Sequence, residues 1–178
     1  MEAALTADKL GAESGSEDEK ETYGTVANEL LSLCFSLYEQ QSALDTRIQR
    51  PCVMSMIGTL MACRSLAKKD YEGLIMSVSK FAAKMSKQSE QCEMVTRCSH
   101  LFYVVDDDGS TVVYANPQRS LECLQRSLKL ANACTTVDVT NLKLFVELLD
   151  VYLYFFEKGN PHITGNYISG LAALIKEH

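Results

Sequence analysis

The sequence contains no tryptophan, three prolines and three histidines. Each scarcity excludes something. Without tryptophan, the Trp-Leu-Gly signature of tetratricopeptide repeats is missing. With three histidines, any acid–base or nucleophilic system must use His100, His162 or His178. No apolar run approaches the roughly 18 uncharged residues that span a bilayer. Glu2 and Asp8 stand where a signal peptide would carry positive charge and an apolar core, so the chain is expected neither to cross a membrane nor to be secreted. No segment resembles G-x-x-x-x-G-K or G-x-G-x-x-G, which leaves nucleotide binding without support. Asp106-Asp107-Asp108-Gly109 has the look of the middle of a calcium loop, but the first ligand would fall on Val104 and the twelfth on Ala115. Calcium binding fails at both ends.

The seven cysteines (34, 52, 63, 92, 98, 123 and 134) form no C-x-x-C pair and have no histidine at zinc-ligand spacing. Scattered among helix-patterned apolar residues, they read as buried free thiols of a reducing compartment, cytosol or nucleus. His100 follows Cys98 by two positions, and residues two apart on a helix point to different faces, so the two make no catalytic dyad. No metal or cofactor site emerges, and the chain is expected not to be an enzyme.

What is present is helical. Hydrophobic residues make up 47% and charged residues 22%, which places the chain among folded domains. The short apolar pattern of residues 1–10 predicts the tail of a helix closed by Gly11, followed by an acidic Gly/Ser loop over 12–20. From Glu21 to about Gln40, Tyr23, Val26, Ala27, Leu30, Leu31, Cys34, Leu37 and Tyr38 recur at three and four. Asp45, Asp70 and Ser89 read as N-caps of three further helices, the last running from Glu90 to about Tyr103, and Pro51 either delays or kinks the first of them. The polar loop at 104–116 carries a β-prone patch, Thr111 to Tyr114, able to form a small hairpin arm. Asn116-Pro117 starts a helix to about Cys134, Asp138 to Lys158 predicts a long apolar one, and a last helix runs from about Ile163. The aromatic run of the Asp138–Lys158 helix, Tyr152, Tyr154, Phe155 and Phe156, reads as core with one member free for a partner.

Every second helix start is about 44 to 49 residues apart, close to the period of two-helix HEAT or armadillo units. The fold expected is therefore all-α, a solenoid of about four HEAT-like hairpins over residues 21–178 behind a partial helix and acidic loop at 1–20. A globular helical bundle is the alternative. Charge is segregated: residues 1–21 carry −5, 22–46 carry −3, 47–100 carry +5 and 101–178 carry −3. Such segregation suits another copy of the chain or an oppositely patterned partner, while the net −6 argues against nucleic acid.

Four blocks carry a family resemblance: Ser36-Leu37-Tyr38-Glu39; Cys98-Ser99-His100-Leu101-Phe102; Glu122-Cys123-Leu124 with Lys129-Leu130-Ala131-Asn132; and Leu144 to Leu149 with Tyr152 to Lys158. In order and spacing they resemble the C-terminal part of retromer's large vacuolar-protein-sorting subunit. The resemblance implies a C-terminal piece of a longer superhelix, a scaffold that curls around a smaller subunit of metallophosphoesterase fold. It further implies work on the cytosolic face of endosomes, recycling cargo to the Golgi or plasma membrane, with membrane contact only through other retromer or sorting-nexin components. By the same resemblance His100, with Leu101 and Phe102 beside it, is the expected partner contact. Self-association between two solenoids would pair Glu39 and Asp45 with Lys84, Lys87 and Arg126, although Gln40 and Gln41 stand where acids are common in the family. A generic HEAT or armadillo adaptor for an unrelated partner is the competing reading.

Overall fold

The computed structural model describes residues 1–41, 46–106, 109 and 111–177. The fold is all-α, as expected, and of the helical-solenoid class. Among the described residues eight α-helices alternate with short connections: α1 (Glu2–Glu13), α2 (Glu17–Gln40), α3 (Thr46–Ala62), α4 (Lys68–Ala83), α5 (Gln88–Cys98), α6 (Pro117–Val137), α7 (Lys143–Glu157) and α8 (Gly165–Glu177). A two-stranded antiparallel hairpin, β1 (Tyr103–Val105) and β2 (Val112–Ala115), separates α5 from α6. Two compact units form, residues 1–81 and 82–178.

In the first unit α1 lies along α2. Gly11 does not close α1 as the sequence suggested; the helix continues to Glu13, and α2 begins at Glu17, so most of the expected loop is helical. Gly11 is there for proximity. A Cβ on it would sit 3.0 Å from Ser65 Cβ and 3.1 Å from Tyr23 Cβ, and one on Gly24 would come within 2.5 Å of the Ser65 carbonyl oxygen. The two glycines let α1 and α2 close onto the turn that follows α3. Asp8 fastens this contact: its buried carboxylate accepts hydrogen bonds from the backbone N–H groups of Arg64 and Ser65 and from the Ser65 hydroxyl, all at 2.8 Å. Leu31 and Phe35 of α2, Val53, Ile57 and Leu60 of α3, and Leu74, Ile75 and Val78 of α4 fill the core, and the rings of Phe35 and Tyr38 meet Phe81 at 6.0 and 4.8 Å.

The expected cap of α3, Asp45, lies outside the described residues. Pro51 does not delay that helix, which already runs from Thr46. Asp70 and Ser89 are not caps: α4 starts two residues before Asp70, and Lys87 is the N-cap of α5. Asp70 sits instead in the first turn, where a carboxylate meets the positive end of the helix dipole.

The second unit stacks α5 on α6, α6 on α7 and α7 on α8. Asn116 caps α6 as the sequence indicated, its Oδ1 accepting from the Arg119 N–H at 3.2 Å with Pro117 at the first helical position. The helix expected from 138 begins later. Asp138 accepts from the Thr140 N–H at 2.9 Å and holds residues 139–142 in a 3₁₀ turn before α7. Leu121 and Leu124 of α6, Phe145, Leu148, Tyr152 and Phe155 of α7, and Leu171 of α8 form one contiguous core. The hairpin arm foreseen at Thr111 to Tyr114 is β2, but its partner strand begins at Tyr103, which the periodicity had placed in a helix. No helix of the described residues is long and apolar enough to cross a membrane.

Candidate partner-binding surface

α5 ends at Cys98 and the chain tightens into a 3₁₀ turn, Ser99–Phe102, before entering β1. Residues of such a turn lie about three to a circuit, so four consecutive side chains are thrown in different directions. Leu101 and Phe102 point inward and are 0% and 3% exposed. His100 is half-buried at the edge of the unit, its ring 5.0 Å from that of Tyr154 and 4.9 Å from that of Phe155 on α7. Of the three residues expected to touch a partner, His100 is the one with surface exposure. Leu101 and Phe102 are buried in the second unit, as consecutive residues spread around a turn allow.

Burial among those rings, with the Arg97 guanidinium adding to it, lowers the His100 pKa to about 4. The imidazole is therefore neutral near pH 7 and offers one donor and one acceptor on an aromatic bed. Tyr103 secures the base of the hairpin by donating to the Lys158 carbonyl at 3.3 Å, which ties β1 to the end of α7. The Lys158 ammonium lies over Gly109 at the hairpin tip, where a positive φ of 75° is carried without strain by glycine.

The charged residues expected at a self-association surface are distributed as follows. Glu39 is exposed near the end of α2 in the first unit, and Lys84, Lys87 and Arg126 are exposed in the second. Lys87 already pairs with Glu90 at 3.0 Å. Asp45 is outside the described residues.

All seven cysteines are free thiols, four buried and three half-buried. Burial is the first cause that pushes Cys63, Cys92 and Cys123 up to about 12, so these sulfurs stay protonated and unreactive. No group of three or more His, Cys, Asp or Glu side chains among the described residues is placed to hold a metal ion.

Two features escaped the sequence reading. Asp8 shares the buried face of α1 with Ala4, Ala7 and Gly11, an acid at i+4 and i−3 from apolar neighbours, and that spacing was the available signal. The second is on α7, where Val146, Leu149, Leu153 and Phe156 form an apolar stripe beside the core face, joined to it at Leu149. Three of the four are exposed at 44–52% and Leu149 is half-buried.

Comparison with known proteins agrees with this architecture. The profile of the vacuolar protein sorting-associated protein 35 family matches residues 1–178, the full chain. The chain belongs to this family. A Schizosaccharomyces pombe member, vacuolar protein sorting-associated protein 35, is 35% identical over 160 residues, 90% of this chain. The Arabidopsis thaliana members 35B and 35A are 37% and 35% identical over 156 and 157 residues, 84% and 85% of the chain. The chain spans 19% of the length of each of these relatives.

Proposed function

We propose that this chain is a non-enzymatic scaffold segment of retromer, acting in endosome-to-Golgi and endosome-to-plasma-membrane protein transport. Its unit of residues 82–178 binds the metallophosphoesterase-fold subunit at a surface edged by His100. The observation that carries the reading is the family match along the whole chain, joined to the one residue of the Cys98–Phe102 block that is accessible at the surface. The chemistry supports it. A neutral imidazole on an aromatic bed loses little solvation on being covered, and its two ring nitrogens can pair with backbone groups of a partner. Attachment to the cytosolic face of endosomes is indirect, through other retromer or sorting-nexin components. Pairing with a second copy through Glu39, Lys84, Lys87 and Arg126 is the weaker part of the reading, because exposed charge pairs contribute about 0 to 1 kcal/mol each.

Calorimetric titration of the chain with the phosphoesterase-fold subunit from the same source tests the reading. A dissociation constant below about 1 μM is expected, weakened by at least about tenfold in His100→Arg. An unchanged constant in a variant whose circular dichroism matches the parent removes His100 from the interface, and no binding by the folded parent defeats the reading altogether.

A further inference from the structure

α7 carries an exposed apolar feature apart from His100. Val146, Leu149, Leu153 and Phe156 are spaced by three, four and three residues, which aligns them along one side of the helix. His100 meets α7 through Tyr154 and Phe155, on the opposite flank. Val146, Leu153 and Phe156 are 47%, 44% and 52% exposed and Leu149 between them rests partly on the core, while Phe145, Leu148, Tyr152 and Phe155 face inward. Scattered exposed apolar residues need no explanation, but three in register over three turns, with half-buried Leu149 between them, do.

The stripe has a charged border. Asp150 and Glu157, seven residues apart, are exposed along one edge of it, and neither pairs with a cation among the described residues. Lys143, on the same flank, stands two turns before Asp150 at the start of α7. An apolar stripe of heptad spacing beside unpaired carboxylates is complementary to an amphipathic helix whose own stripe is bordered by Lys or Arg. The same carboxylates disfavour the other occupants. Two α7 helices paired antiparallel across the centre of the stripe would set Asp150 near its own copy, with only Glu157 brought toward the copy's Lys143. An anionic membrane surface would be repelled by both.

We infer that the exposed face of α7 binds a basic amphipathic helix of another protein, seated along Val146, Leu149, Leu153 and Phe156 with its cations toward Asp150 and Glu157. The probe is a synthetic helical peptide of about 18 residues, with leucines at alternating spacings of three and four and lysines beside them. Its binding to the full chain is followed by fluorescence anisotropy. It should bind at least about tenfold more tightly than a glutamate-flanked version and than a lysine peptide of the same composition with the leucines scrambled. The double variant Leu153→Ala, Phe156→Ala should lose about tenfold, and Asp150→Lys with Glu157→Lys should transfer the preference to the glutamate peptide. These side chains are exposed, so circular dichroism should show each variant folded. Equal binding of the scrambled lysine peptide would reduce the effect to charge and overturn the inference, as would an unchanged constant in the alanine variant. Sedimentation that shows the parent self-associating and Phe156→Ala monomeric would assign the face to a second copy and also overturn it.

Discussion

Replacing Asp8 with alanine tests the contact that fixes α1 to the rest of the first unit. The carboxylate is 1% exposed and accepts three hydrogen bonds of 2.8 Å, two from backbone N–H groups of Arg64 and Ser65 and one from the Ser65 hydroxyl. Alanine removes the acceptor and leaves the donors in place. The Ser65 hydroxyl can rotate toward another acceptor, but the two amides are fixed by the turn between α3 and α4. An unsatisfied buried donor costs about 1–3 kcal/mol, and hydrogen bonds to a charged acceptor contribute about 1.5–3 kcal/mol each. The contributions overlap, so the loss is about 3–5 kcal/mol and not their full sum. Relief of the carboxylate's own desolvation is already contained in those net figures. Against a typical total of about 5–15 kcal/mol, this is enough to move the urea midpoint far. Asp8→Asn keeps one carbonyl acceptor but turns an amide group toward donors, and should cost about 1–3 kcal/mol. Urea titration followed by far-UV circular dichroism measures both. A loss below about 1 kcal/mol for Asp8→Ala would refute the reasoning, because it would mean that water or another acceptor satisfies the turn as well as the carboxylate does.

Two further predictions use the same protein preparation. Gly24→Ala should destabilise by about 1–3 kcal/mol, since its Cβ would meet the Ser65 carbonyl at 2.5 Å, whereas Gly73→Ala, in open space inside α4, should stabilise by about 0.5–1 kcal/mol; thermal midpoints moving the same way in both would contradict the packing. His100 should titrate by NMR near pH 4, against about 6.5 when unfolded, so the unfolded chain binds more protons between those values and stability rises with pH across that window, is fully present above it and is lost as pH falls through it; a midpoint near 6.5 would place the ring in water.

The fold was legible where local chemistry decides it. Asn116-Pro117 started α6 where a cap and a fixed φ require, Gly159 ended α7 with a φ of 73°, and the three-and-four spacing of α2 found Ala27 and Leu31 of its buried face while including exposed Val26 and Leu37 and omitting buried Phe35. It misled where a long-range contact overrides a local habit. Gly11 has the residue type of a helix stop, yet it is conditioned by Ser65, 54 positions away in a turn whose approach no local pattern encodes. The change from α-helix to 3₁₀ turn at Ser99 had the same character. Residues 99–103 satisfy helical periodicity, but pairing of Tyr103 with Ala115 draws the chain out into a strand.

His100, Leu101 and Phe102 are consecutive, so their side chains fan out by about 100° each on an α-helix and about 120° each in a 3₁₀ turn, and neither geometry puts all three on one face. Leu101 and Phe102 go to the core and the imidazole to the edge, supported from beneath by Tyr154 and Phe155. The apolar anchoring capacity that the sequence placed beside His100 is found instead on the far flank of α7, in Leu153 and Phe156. A helix apolar on two sides cannot be divided into core and docking face from its sequence, because leucine and phenylalanine serve both and period alone does not say which side a neighbour covers. Only the packing of α5, α6 and α8 around α7 makes the division, and it makes the two flanks separable by mutation: His100→Arg and Phe156→Ala should affect different partners, with independent free energies.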